Sequence, residues 1–456
     1  MRKKLTLLLS LLLLVVAAIP PATAEAATFQ IDFDTTSDVL YLVNTDTDTP
    51  VFDKNADKQV EPASVTKIMT YIVAVEHIEN LQQTMITTAP YTVDMLLGTG
   101  SSVSGLQRGE TMSAYDLLHC LMVPSGNDAA MTFADYVGGG GQIGESAKSG
   151  NIEKFVQMMN DKAKELGCTN THFANPHGLH DIDHYTTAKD MYKITSYART
   201  MPYFTEITTK LYYEVPKTNK QDKRIVYTTN SMLKSSDADY YYRYAKGIKT
   251  GHHDQSGYCL VSTATKGGYT YMCLAFGAPS VDADGKTIYK NGAMVDSKNL
   301  YMWAFDNLEM KSVVDKEKPA GEVKLEFAWQ KDTLLLVPET NFSTMLPKNV
   351  EASSIVMTTD LPESVEAPVK QGDVIGKATL SYANQELATI NLVASESVDR
   401  SEMLYYMDGA KNVFTSKWFL IGVGAFLFLF IVYLILAMIY NKKNKNRRRV
   451  KKYRKF

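Results

Sequence analysis

Cysteine is scarce in this chain: Cys120, Cys168, Cys259 and Cys273 are all it has in 456 residues. Four scattered thiols in a chain this long make no disulfide framework, although Cys259 and Cys273 can face one another across a hairpin. Metal-ligand spacing is absent, as is any internal repeat, and neither a metal nor an organic cofactor is expected. Long apolar runs are confined to the two ends. The first, within Met1 to Ala26, reads as a secretory signal. Arg2, Lys3 and Lys4 precede an apolar stretch that Pro20-Pro21 ends, and Ala22-Thr-Ala24 or Ala24-Glu-Ala26 supplies small residues for cleavage. The second, Trp418 to Tyr440, has 23 residues and no charge. At about 1.5 Å per residue it is long enough to cross a bilayer.

Positive charge is concentrated behind that span. Ten lysines and arginines lie between Lys442 and Lys455, which the positive-inside rule assigns to the cytoplasm. Beside a span they suit an anionic lipid surface better than nucleic acid. The whole chain carries −2, so residues 1 to 441 carry about −12, and about −14 once the signal is removed. A body this acidic is a poor nucleic-acid partner. The reading is a single-pass protein of the cell membrane, its main body extracellular and its 16-residue tail (441–456) cytoplasmic.

Between the ends the texture changes once. Residues 27–316 mix strand and helix signals. Val39 to Val43 and Val51-Phe52 flank a turn-rich stretch and read as a hairpin, and Tyr258 to Thr263 and Tyr269 to Phe276 are strands joined at Lys266-Gly-Gly268. Apolar or amphipathic helices are expected over Ser64 to Ile78, Tyr115 to Val123, Ile152 to Leu166 and Asp296 to Leu308. Residues 317–397 instead show short β-rich runs every ten or so positions, which predicts a small all-β sandwich. Residues 398–417 read as a stalk to the span at 418–440.

Three short motifs in the first part carry chemistry: Ser64-Val-Thr-Lys67, Ser125-Gly-Asn127 and Lys249-Thr-Gly251. A serine hydroxyl is a weak nucleophile until a base takes its proton. Ser64 and Lys67, three apart at a helix start, share one face. Lys67 acts as a base only if its pKa falls far below about 10.4, and burial beside an apolar helix together with the charge of Lys249 both push that way. Ser125 and Asn127, after an apolar helix, can relay a proton and hold a substrate backbone. Lys249 and Thr250 at a strand end can hold a carboxylate. Each motif alone is ordinary: Ser231-Met-Leu-Lys234 repeats the first spacing, and Lys148-Ser-Gly-Asn151 mimics the other two. Three in order are specific, and they resemble the trio of penicillin-binding proteins and class A β-lactamases, with glycine where the Ser-Asp-Asn spelling has aspartate.

The chain resembles the low-molecular-weight penicillin-binding proteins of the serine-type D-alanyl-D-alanine carboxypeptidase family. Beyond the motifs, the resemblance runs through Pro62 to Thr70, Pro124 to Ala130, Thr171 to Leu179, His184 to Thr187 and Gly247 to Gly251, and through the C-terminal β part. It implies an α/β (α+β) β-lactamase/transpeptidase-like domain, an antiparallel sheet flanked by helices, followed by the β domain. It also implies that Ser64 is acylated, Lys67 accepts its proton, Ser125 and Asn127 complete the site, and Lys249, Thr250 and Gly251 bind the substrate's end. The backbone N–H groups of Ser64 and His252 would form the oxyanion hole. His177 either borders the cleft or is a packed structural residue. Some relatives have an arginine after the following strand, where this chain has Gly277-Ala-Pro-Ser280, so carboxylate binding falls more heavily on Lys249 and Thr250. Other relatives lie on the bilayer through an amphipathic helix, whereas Trp418 to Tyr440 has no polar face.

The implied substrate is the peptidoglycan pentapeptide stem, with β-lactams as acylating inhibitors. A class A β-lactamase would need a Glu-x-x-x-Asn element between Asn127 and Lys249, and there is none. A transpeptidase or endopeptidase would use the same site with another acceptor. A sensor that is acylated without turnover would want a larger cytoplasmic domain than 16 residues.

Overall fold

The computed structural model describes residues 29–146, 149–282, 284–382 and 385–453; the signal-like segment 1–26 lies outside them. The chain divides into two compact units. One runs to Val313 and includes Ser343–Ile355 and Tyr382–Leu387; the other holds Val314–Phe342, Val356–Ser381 and the residues from Ala388.

The first unit is built on five strands: β1 (Val39–Asn44), β2 (Thr49–Lys54), β3 (Ala245–His253), β4 (Gly257–Lys266) and β5 (Tyr269–Ala278). Their order is β2-β1-β5-β4-β3, with every neighbour antiparallel. The inner strands are apolar nearly throughout because both faces are covered. On β5, Met272, Leu274 and Phe276 enter one core, while Tyr271, Cys273 and Ala275 enter the other. Helices α1 (Lys67–His77), α2 (Ala114–Met122), α3 (Asn127–Gly138), α4 (Asn151–Glu165) and α5 (Ala188–Ala198) contribute to the first core, and α6 (Gly292–Asn307) to the second.

Three local expectations change. The helix expected from Ser64 begins as a 3-10 turn, Ala63–Thr66, and becomes α-helical only at Lys67. The helix expected from Asp296 starts at Gly292, where the Asn291 side chain caps it by accepting from Met294 N. All four cysteines are buried and free. Cys273 stands opposite Ser262, not Cys259, and the two thiols enter different cores on opposite faces of the sheet. The open pairing of Cys259 with Cys273 is therefore excluded by register.

The second unit is all-β up to its C-terminal helices. Strands β6 (Gly321–Glu326), β7 (Thr333–Pro338), β8 (Val356–Asp360), β9 (Ser364–Glu366), β10 (Val374–Tyr382) and β11 (Gln385–Ala394) form a sheet in the order β8-β10-β11-β7-β6-β9. Val323, Leu325, Leu334, Leu336 and Leu392 give it a core of its own. The stretch read as a stalk is helical over α7 (Glu402–Thr415), and α8 runs from Lys417 to Tyr453. Within α8, Lys417–Lys443 is long and apolar enough to cross a membrane.

Candidate active site

The chain brings its three motifs to one groove by three different local devices. Ser64 lies in the 3-10 turn ahead of α1. In that geometry residues three apart eclipse one another, which sets Lys67 Nζ 2.9 Å from Ser64 Oγ. Ser125 lies in the short link between α2 and α3, and Asn127 is the first residue of α3. Lys249, Thr250, Gly251 and His252 run along β3, the edge strand of the sheet. Gly251 has no room for a side chain: a Cβ there would lie 2.9 Å from Pro62 O and 3.1 Å from Ser64 N. The strand thus presses directly against the turn that carries Ser64.

Two hydrogen-bond clusters result. Lys67 Nζ has three oxygen neighbours: Ser64 Oγ, Asn127 Oδ1 at 2.6 Å and the backbone carbonyl of His177 at 2.9 Å. Lys249 Nζ donates to Ser125 Oγ and to its neighbour's carbonyl, Thr250 O, both at 2.8 Å. The Thr250 hydroxyl meets that of Thr229 at 2.5 Å. His252 is exposed, its ring stacked on Tyr258 with centroids 4.5 Å apart. Ser64, Ser125, Asn127, Thr250, Gly251 and His252 line a groove of about 650 Å³, with Thr99–Ser102 and Leu179 on its walls.

Both lysines are almost completely out of water, Lys67 at 0 % and Lys249 at 1 % exposure. Burial, and then the charge of Lys249, hold the Lys67 ammonium well below the usual lysine range, with Asp128 opposing. Burial pushes Lys249 down to about 7. The Ser64 hydroxyl thus lies beside an amine whose charged form is disfavoured.

The backbone is strained at two of these points. Ala63, just before Ser64, has φ +46°, and Ser125 has φ +64°. Such conformations cost about 1–3 kcal/mol each in a non-glycine residue and persist only where the surroundings enforce them. Asp128 supplies part of that enforcement. Its buried carboxylate accepts from Ser104 N, Ser104 Oγ, Leu106 N and Ala129 N within 3.0 Å. Asn127 N donates to Ser102 O at 2.9 Å. The loop forming one groove wall is thus stitched to the start of α3.

The sequence motifs assign no contact to three further residues at this site. His177, expected to border the cleft or to pack in the structure, meets Lys67 Nζ with its backbone carbonyl, while its imidazole is buried and held down to about 3 by desolvation. A main-chain oxygen leaves no signature in residue type. Thr229 lies outside every motif, and Asp128 follows one without belonging to it. Among the described residues no group of three or more His, Cys, Asp or Glu side chains is arranged to hold a metal.

A family profile described as D-alanyl-D-alanine carboxypeptidase matches residues 23–280, more than half of the chain. A second, the C-terminal domain of penicillin-binding protein 5, matches residues 308–400. The D-alanyl-D-alanine carboxypeptidase DacF of Bacillus subtilis is 28 % identical over 80 % of this chain and 87 % of its own. A D-alanyl-D-alanine carboxypeptidase of Streptomyces sp. is 34 % identical over 53 % of this chain and 81 % of its own. The crystal structure of penicillin-binding protein 5 from Haemophilus influenzae superposes with a TM-score of 0.62 at 26 % identity, covering 82 % of this chain and all of that one. The chain belongs to the D-alanyl-D-alanine carboxypeptidase family.

Proposed function

We propose that this protein is a serine D-Ala-D-Ala carboxypeptidase of peptidoglycan that works through an acyl-enzyme on Ser64. The observation that carries the reading is a wholly buried Lys67 amine 2.9 Å from the Ser64 hydroxyl, with burial and Lys249 both disfavouring its charged form. Lys67 Nζ takes the Ser64 proton as Oγ attacks the carbonyl carbon between the two D-alanines. The resulting oxyanion lies toward the backbone N–H groups of Ser64 and His252. The C–N bond then breaks, and the leaving amine receives a proton by way of Ser125. Water, deprotonated by the same amine, hydrolyses the ester and restores Ser64.

Lys249 and Thr250 bind the terminal carboxylate. Burial pushes the Lys249 ammonium down to about 7, and a carboxylate beside it favours its charged form, so substrate stabilises the very charge that holds it. Asn127 accepts from Lys67 and faces the groove where the stem peptide lies. β-Lactams acylate the same oxygen, as a cyclic amide offered to the same nucleophile.

The apolar part of α8 anchors the protein as a single span, with the catalytic unit outside the cell and the basic tail in the cytoplasm. The test uses the full-length protein in detergent micelles with a diacyl-L-Lys-D-Ala-D-Ala peptide. Catalytic release of free D-alanine that disappears in Ser64→Ala is expected. One stoichiometric acylation without turnover, or labelled penicillin retained by Ser64→Ala, would refute the reading.

A further inference from the structure

A neutral lysine amine has two N–H donors and one lone pair. Lys67 Nζ has three oxygen neighbours, and two of them, Asn127 Oδ1 and His177 O, can only accept. Those two take both N–H groups, and the lone pair is left facing the third neighbour, the Ser64 hydroxyl. The direction of the base is therefore set by whatever fixes the two acceptors. Asn127 is fixed at the start of α3. His177 sits in an irregular segment, and its carbonyl would be free to turn without a clasp.

Asn175 is that clasp. Its Oδ1 accepts from Gly178 N at 2.7 Å and His177 N at 3.3 Å, and its Nδ2 donates to Leu179 O at 2.9 Å. The three bonds close one side chain around the turn on either side of His177. Upstream, Asn160 holds both backbone groups of Phe173, and downstream Gly178 packs under Ala63 O with no space for a Cβ. Thr70 Oγ1, on the same helix as Lys67, donates to the adjoining carbonyl of Pro176. Asn175 itself touches neither Ser64 nor Lys67 in these bonds.

We propose that Asn175 is a positioning residue for the catalytic base: it holds the His177 carbonyl at the angle that turns the Lys67 lone pair onto Ser64. The proposal rests on the reading of Lys67 as the base. Because that carbonyl also stabilises the ammonium form, more strongly than the amine, losing it lowers the pKa of Lys67. Lys249, Asp128 and the imidazoles of His177 and His184 also bear on Lys67; of these, the His177 imidazole lies within the turn that Asn175 holds and accepts from Leu179 N at 3.2 Å.

The test compares full-length wild type with Asn175→Ala and with Asn175→Ser, whose hydroxyl can partly rebuild the turn. D-Alanine release and the rate of Ser64 acylation by labelled penicillin are measured against pH, per folded molecule. Expected for Asn175→Ala is a fall in kcat of about 10–100-fold, KM within about twofold, and an acid limb moved to lower pH, with Asn175→Ser between it and wild type. A merely structural residue would reduce the folded fraction and leave the acid limb in place; that result overturns the proposal, as does a kcat within twofold of wild type. Should Asn175→Ala not fold, Asn175→Ser decides by the same readings. If neither folds, Asn175 serves folding alone and the proposal is lost. Failure of wild type to be acylated at Ser64 would instead remove the parent reading.

Discussion

Gly178 offers a sharp test of how tightly the nucleophile's turn is held. A Cβ at this position would lie 1.8 Å from Ala63 O and 2.4 Å from Ala63 C, and its φ is +87°. Both atoms are main chain and belong to the residue just before Ser64, so no flexible side chain can yield. To reach even 3.0 Å the two segments must separate by more than an ångström. Gly178→Ala therefore incurs about 1–2 kcal/mol for the left-handed backbone and about 1–3 kcal/mol for overpacking. Because the shift falls on the turn bearing Ser64, catalysis should fall by about 100-fold in the molecules that still fold. Two controls separate the causes. Gly140→Ala has φ +65° and nothing within 4 Å, so only the backbone cost applies. Gly126→Ala has an ordinary φ of −64° but meets Asp128 Oδ1 at 2.6 Å and Cys120 O at 2.7 Å, so only crowding applies. Urea melts give stability, and D-alanine release per folded molecule gives the chemistry. If Gly178→Ala were no less stable than Gly140→Ala and released D-alanine within twofold of wild type, the turn could not be as closely held as argued.

Other consequences follow from burial and charge. The folded pKa of Lys249 lies below its unfolded value, about 7 against 10.5. The unfolded chain binds the extra proton between those limits, so this residue makes stability rise with pH across that window, by about 1.4 kcal/mol per unit at most, and contributes no slope below it. Melts at pH 7 and pH 9 should show that slope in wild type and a shallower one in Lys249→Met; equal slopes would contradict it. Asp128→Asn keeps the shape but loses acceptor capacity for several buried donors, and should cost about 1–3 kcal/mol. Thermal or urea unfolding reads it out, and a change under about 0.5 kcal/mol would mean the loop from Thr99 is held by other bonds. The thiols are buried, with burial raising Cys120, Cys168 and Cys273 to about 12 and Cys259 to about 11. Iodoacetamide at pH 8 should leave the native protein unmodified and label all four in denaturant, as counted by mass spectrometry; rapid native labelling would show that a core opens.

Particular residues show where sequence reasoning reached and where it stopped. Ser64 and Lys67 are legible because three residues bring two side chains together whether the turn is α or 3-10, so the pairing did not depend on which helix formed. The 3-10 form itself, and the positive φ of Ala63 and Ser125, carried no signal. Neither residue prefers the left-handed region; at Ala63 it goes with the close approach of Gly178 beneath its carbonyl and of Gly251 to Ser64 N. The case of Cys259 and Cys273 is different, because the answer was present in the chain. Once Lys266-Gly-Gly-Tyr269 is read as a two-residue hairpin turn, Lys266 faces Tyr269, and counting back sets Ser262 opposite Cys273. Cys259 is three positions further along and therefore points to the other face. What remained out of reach is the main chain's own chemistry. On the proposed reading the carbonyl of His177 helps aim Lys67, a role that the residue's imidazole does not announce. Its delivery depends on Asn175, Asn160, Thr70 and Gly178 from three separated stretches of chain. A catalytic lysine can be found by its motif; the direction in which its lone pair points is a property of the folded backbone around it.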